Sequence, residues 1–345
     1  MLPYFLLLGF VLFWIFLEKK SLRRKAIIIP VLMLSLYAGV RHYSVGSDTK
    51  SYVSNFLYDI PSILVFDNGR ELGYQLFEYY ILSLNNNYFW LLFLSALLVV
   101  ICYLSFFKKY SEEYLLSVFI FITFNLYTFF FNGLRQGIAM AISAWSLPYI
   151  IERKFIKFLF IVIIASLFHQ SALILILFYM ILNLRFKLEY KIIGVFVGSL
   201  IFSGLVITYL AVANDRYSIY AEESSKSGGY LTLIFYILIG LICFFWYKKY
   251  NFSNYFINKV NEFFICGIAF IIPVALLGTS ASGPQRLLYY FVWCSCLLIP
   301  YILKSLSNIY IYISFLFFSL IYFYLFTSKY ANLSPYLLND SLRIF

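Results

Sequence analysis

The chain is a succession of apolar runs, most of them long enough to cross a bilayer, joined by short polar connections. Such a pattern cannot be folded away inside one soluble core, so lipid has to solvate much of it. In lipid the backbone amides and carbonyls must pair within the chain, which favours helices. Twelve runs fall near residues 2–17, 25–41, 88–107, 114–131, 134–151, 155–169, 171–184, 191–213, 229–247, 261–279, 285–303 and 308–327. They predict an all-α polytopic membrane protein of about 12 transmembrane helices. The two short runs flanking His169 are either two crossings or one bent, re-entrant hairpin. Composition agrees: 63% of the 345 residues are hydrophobic, 12% are charged, and mean hydropathy is +0.88.

Orientation follows from the basic clusters at 18–25, 108–113, 152–157, 185–191, 248–259 and 304, which alternate with poorly basic connections. The positive-inside rule puts those clusters in the cytoplasm and both termini outside. The inside set holds 17 Lys and Arg against 6 Asp and Glu, the outside set 9 of each, so the formal charge of +11 is a topology signal and not a nucleic-acid footprint. The run 2–17 has no basic region before it and no small-residue cleavage site after it, so it is expected to remain as the first span. The whole chain, 1–345, reads as one integral membrane domain. Its one long outer connection, 42–87, is expected to carry short helices, because structureless loops of that length are uncommon.

Arginine and lysine are distributed differently. Of ten arginines six fall outside (Arg41, Arg70, Arg135, Arg216, Arg286, Arg343), against three of sixteen lysines. Lysine does the topological work, while arginine stands where planar, bidentate recognition of an anion would need it. Arg135 is the most telling: it interrupts an apolar stretch between Gly133 and Gly137, beside Gln136. A guanidinium near the hydrocarbon boundary costs several kcal/mol unless it reaches water or a fixed anion. Arg41, Arg216 and Arg286 also stand at membrane ends of runs on the outer side. Snorkelling to lipid phosphate is the plain alternative for any one of them.

Other polar groups collect on the same side. Gly46-Ser47-Asp48-Thr49 reads as a turn and helix start with Ser47 or Asp48 as cap. Glu71 precedes Leu72-Gly73-Tyr74, and His169 opens His169-Gln170-Ser171-Ala172 between two apolar runs, where a structural histidine is the plain reading. Tyr52, Tyr74 and Tyr289 serve either as sugar-stacking platforms or as interfacial anchors. The five cysteines (Cys102, Cys243, Cys266, Cys294, Cys296) lie within apolar runs without neighbouring histidine and read as small core residues; no metal site and no cofactor is expected. No GxxxxGK[ST] or GxGxxG occurs, so any transfer reaction must draw on an already activated donor. Several arginines, a histidine and a few carboxylates on one face suit a diphosphate-bearing lipid.

Taken in order, Gly46-Ser47-Asp48-Thr49 with Tyr52, Glu71-Leu72-Gly73-Tyr74, Arg135-Gln136-Gly137-Ile138-Ala139, His169-Gln170-Ser171-Ala172 and Arg286 with Tyr289-Tyr290 resemble the EpsG family, which is related to the Wzy O-antigen polymerases. Ser47 departs from the threonine that family carries after the glycine, but keeps a hydroxyl. The resemblance implies a multi-pass bacterial inner-membrane glycosyltransferase with a GT-C-like bundle and a periplasmic active site. It would transfer a growing glycan from undecaprenyl diphosphate to the non-reducing-end sugar of a lipid-linked repeat unit, inverting and without metal. Its partners would be those lipid-linked units, membrane lipids and, as a further candidate, a chain-length regulator. In that reading Arg135, Arg286, Arg216 and Arg41 bind diphosphate. His169 is the general base or a phosphate contact. Asp48 and Glu71 are second candidates for the base or orient the acceptor, and Gln136, Tyr52, Tyr74 and Tyr289 meet sugars. An O-antigen ligase uses the same donor, and a flippase or transporter of lipid-linked oligosaccharide is the alternative from another class. The one-sided collection of charge favours an enzyme over a carrier, which would need polar, broken helices near the midplane. A membrane O-acetyltransferase would need an inner donor site that the inside loops lack.

Overall fold

Each of the twelve apolar runs contains helix in the computed structural model, which describes 1–58, 66–67, 69–213, 229–250, 252, 254–277 and 283–340, with 205–213 described by their backbone alone. Helix makes up 79% of the structure, with no strand among the described residues beyond one antiparallel bridge between Arg41 and Leu338. The chain is a polytopic all-α membrane protein. Among the described residues six helices are long and apolar enough to cross a bilayer: Leu2–Leu22, Phe89–Tyr110, Tyr114–Asn132, Tyr230–Tyr250, Tyr255–Leu276 and Ile309–Tyr330. Pro284–Val292 and Ser295–Leu306, bent by 42°, add a seventh if they are one broken span. Length accounts for part of the difference from the twelve crossings expected, although Leu188–Ala213 has 26 residues. Ile28–Gly39, with 12 residues, rises only about 18 Å at 1.5 Å per residue, well short of a hydrocarbon core of about 30 Å. Phe155–Ser166 and Gln170–Asn183 are similarly short.

Breaks in the long apolar runs have local causes. Asn125, in the left-handed conformation (φ 60°), ends Tyr114–Thr123 and starts Leu126–Asn132. Asparagine tolerates that region because its short amide can bond locally. Its Oδ1 accepts from the hydroxyls of Thr128 (3.3 Å) and Thr327 (3.1 Å), so the kink stays hydrogen-bonded although it is buried. Gly133 separates Leu126–Asn132 from Leu134–Ala144.

The chain divides into two compact units, one of Met1–Ser146, Phe160–Ala172 and Pro300–Phe345, the other of Leu147–Leu159 and Leu173–Ile299. In the first, Ile28–Gly39 packs along Phe89–Tyr110, and Gly39 permits the approach: a Cβ there would lie 2.9 Å from Phe89 and Phe93 side-chain atoms. The segment after Ile309–Leu325 returns across residues 40–46. His42 N–H donates to the Leu337 carbonyl (2.8 Å), Asn339 N–H to that of Val40 (2.8 Å) and Gly46 N–H to that of Asn332 (2.9 Å).

In the second unit Leu188–Ala213 and Tyr230–Tyr250 flank Tyr255–Leu276, with Phe178, Phe263 and Phe291 in mutual ring contact at its centre. One charge cluster is buried there. Lys191, 4% exposed, pairs with Glu262, as does Lys259 at 2.7 Å. Both ammonium groups also donate to the Leu182 carbonyl, at 3.1 and 3.3 Å. The lysines thus satisfy a carbonyl in the last turn of Ile174–Asn183, and Glu262 offsets one of their two charges.

Candidate functional site

The site grows from the connection after Ile28–Gly39, which carries the helices Thr49–Tyr52, Ser54–Leu57 and Leu72–Leu84. Gly46 adopts φ +101°, a conformation open to glycine, and a Cβ there would stand 2.7 Å from both Asn132 Oδ1 and Thr49 Oγ1. That closeness lets Asn132 accept the Ser47 N–H at 2.8 Å, while Thr49 Oγ1 donates toward the carbonyls of Val45 (2.7 Å) and Phe131 (3.0 Å). The turn is therefore tied to the residues just before Arg135. Asp48 holds the N-cap position of Thr49–Tyr52 without a side-chain cap bond; its carboxylate accepts from the Ser47 hydroxyl at 2.7 Å.

Leu72–Leu84 is amphipathic in an unusual way: its buried face carries Tyr74, Gln75 and Glu78 beside Ile81 and Leu82. Gly73 explains how closely it seats. A Cβ there would lie 2.8 Å from the Leu167 carbonyl oxygen, and the next residue, Tyr74, donates its N–H to that carbonyl at 3.2 Å. This backbone contact sets Glu71 against the His169–Gln170 turn, where the Gln170 N–H reaches the Glu71 carboxylate at 3.4 Å. Glu71, 7% exposed, also forms an ion pair with Arg135. The Arg135 guanidinium carbon lies 5.8 Å from the Tyr74 ring centre, and the Tyr52 hydroxyl hydrogen-bonds the guanidinium. The rings of Tyr52 and Tyr74 meet edge-on at 6.2 Å. Four of the residues singled out in the sequence, Glu71, Tyr74, Arg135 and Tyr52, are thus brought together, with His169 two steps away.

His169 is half-buried. Its Nδ1 accepts the Ser171 N–H at 3.2 Å and pairs with the Ser171 hydroxyl at 2.7 Å. Because a backbone N–H can only donate, the neutral ring carries its proton on Nε2.

A second ion pair adjoins the first. Arg70 Nη2 donates to Glu78 at 2.7 Å, and Asn55 Nδ2 donates to the other carboxylate oxygen at 3.0 Å. The Arg70 guanidinium carbon stands 5.4 Å from the same Tyr74 ring, so two guanidiniums share one aromatic neighbour. Gln75 holds this turn, donating to the carbonyls of Asp67 (3.0 Å) and Arg70 (2.7 Å) and accepting the Asp67 N–H (2.8 Å). Burial pushes the Glu78 carboxyl above its usual range, against the opposing pull of Arg70 and of the hydrogen bonds from Arg70 and Asn55. Sequence reading passed over Glu78, Asn55 and this use of Arg70. The available signal was a glutamate seven residues after Glu71, on the same face of a helix as Tyr74.

The remaining arginines have other surroundings. Arg41 does not face water: it is fully buried, donates to the Ala38 carbonyl at 2.6 Å and lies 4.0 Å over the Phe131 ring. The returning C-terminal segment seals it in through the bridge to Leu338. Its Nε and Nη2 have no hydrogen-bond partner. Arg216, with Asp215, and Arg343 lie outside the described residues. Arg286 is half-buried on the short helix Pro284–Leu288 of the second unit, followed by buried Tyr289. Gln136 is buried in Leu134–Ala144, which seats closely on Phe130 because residue 137 is glycine.

A family model described as the EpsG family matches residues 24–338, nearly the whole chain. The chain belongs to the EpsG family. That family is associated with Wzy-like polysaccharide polymerases, so the Glu71–Arg135 cluster sits in an EpsG protein of polysaccharide biosynthesis. No curated protein and no solved structure matches the chain.

Proposed function

We propose that this EpsG family member is a glycosyltransferase that polymerises polysaccharide repeat units carried on undecaprenyl diphosphate, at the outer face of the bacterial inner membrane. The observation that carries the reading is the Glu71–Arg135 pair, backed by Tyr74 and closed on one side by the His169–Gln170 turn. Arg135 takes the donor's diphosphate, and the resemblance assigns Arg286 and Arg216 to phosphate as well. Glu71, released from Arg135 when phosphate replaces it, accepts the proton of the attacking sugar hydroxyl. Asp48 is the other carboxylate fit for that role. The hydroxyl oxygen bonds to the anomeric carbon of the donor, the bond from that carbon to the diphosphate oxygen breaks, and the configuration inverts. Guanidinium charge stabilises the leaving diphosphate. His169, with its proton on Nε2, donates to a phosphate oxygen rather than acting as base. Tyr52, Tyr74 and Gln136 line the path of the sugars, and the resemblance assigns Tyr289 to sugar as well. An all-helical, GT-C-like membrane architecture with both termini outside completes the proposal.

The test is incubation of the purified protein with synthetic undecaprenyl-diphosphate-linked repeat units, without nucleotide or added metal. A ladder of longer glycans on a gel is the expected result. Absence of a ladder, together with movement of the same lipid across proteoliposomes, overturns the polymerase reading in favour of transport.

A further inference from the structure

A groove of about 560 Å³ opens in the first unit, between the end of Leu2–Leu22, the start of Tyr114–Thr123 and residues 300–312. It lies at the opposite end of the kinked Tyr114–Asn132 span from Arg135. Its walls are hydrocarbon, from Phe16 (50% exposed), Leu116, Leu303 and Pro300. Its rim carries three ammonium groups, Lys19, Lys20 and Lys304, and one carboxylate, Glu113. Lys19, largely open to solvent, stands 3.5 Å from the half-buried Glu113, and Lys304 reaches Glu112 at 2.8 Å. Lys20 lies 6.0 Å over the Phe16 ring, directly above the apolar wall. Exposed ion pairs of this kind are worth little, so the lysines are readily drawn to a stronger anion.

We infer that this groove binds one anionic phospholipid, with its phosphate among Lys19, Lys20 and Lys304 and an acyl chain along Phe16 and Leu303. The charge of the rim selects a phosphate, and the hydrocarbon walls select one that brings a chain with it. Basic pockets between membrane helices recognise lipid headgroups by this combination. The site is distinct from the Glu71–Arg135 cluster and does not depend on the function proposed for that cluster. Its lipid would clamp together three elements that are far apart in sequence.

The experiment is a titration of the full-length protein in neutral detergent with short-chain phosphatidylglycerol, phosphatidylcholine or inorganic phosphate, read by native mass spectrometry and thermal shift. Phosphatidylglycerol is expected to bind at least tenfold more tightly than phosphatidylcholine, with millimolar phosphate unable to displace it. Each lysine removed should cost about fivefold, since one basic residue near an anionic headgroup contributes about 1 kcal/mol. The triple variant Lys19→Gln, Lys20→Gln, Lys304→Gln should lose the preference. If it does not fold, Lys20→Glu alone, at an exposed position, should reduce the preference at least fivefold. Equal binding of the two lipids, an unchanged preference in these variants, or displacement by inorganic phosphate would each overturn the proposal.

Discussion

Arg135 is the residue on which most turns, because its guanidinium is shared between a buried carboxylate and an aromatic face. Lysine in its place keeps the charge but not the planar fork, so Arg135→Lys should lower polymerisation about tenfold to a hundredfold, the worth of one charge-assisted hydrogen bond. Initial rates of ladder formation measure it, and full activity would remove Arg135 from the diphosphate site. Glu78 gives a second prediction through its pH dependence. Its carboxyl is pushed up by burial, whereas in the unfolded chain it titrates near about 4.3. Between those two values the folded protein keeps a proton that the unfolded chain has released, so stability falls as pH rises through that window and levels off above it. Glu78→Gln, which mimics the protonated form, should flatten this part of the melting-temperature profile. An unchanged slope would assign it to another group.

Among the elements, Leu72–Leu84 decides whether the site exists. Its tilt and depth depend on Gly73, where any Cβ would press on the Leu167 backbone. Gly73→Ala should therefore cost about 1–3 kcal/mol, in line with other overpacked contacts, and push Glu71 away from the Gln170 N–H. A lowered melting temperature in detergent together with lost polymerisation is the expected pair of results. Unchanged melting would mean that the helix can shift without strain. The run Gly46-Ser47-Asp48-Thr49 makes sense at the same scale. Asp48 holds the cap position, while the Ser47 N–H and the Thr49 hydroxyl engage Asn132 and the Phe131 carbonyl, so the turn also belongs to the wall behind Arg135.

At the scale of the molecule, the lysine and arginine distribution predicts one topology that can be read directly. Single cysteines at Ser44 and at Lys109, in a background with the native five replaced, should react oppositely with a membrane-impermeant maleimide in intact spheroplasts. The first should label and the second only after permeabilisation; the reverse pattern would invert the orientation. The all-helical membrane architecture was legible in the sequence because apolar length and charge asymmetry are local, additive properties that need no knowledge of contacts. So were the family motifs, two of which the structure joins through the Glu71–Arg135 pair. Which crossings are full length was not, since the breaks between Ala144 and Leu147 and near Trp293, the latter a 42° bend, cut runs whose hydropathy is continuous. Nor could the sequence separate Arg41, buried under a C-terminal segment nearly 300 residues away, from Arg135, paired at the site. Both are arginines at the end of an apolar run, and only long-range packing decides which one is sealed and which one meets a carboxylate.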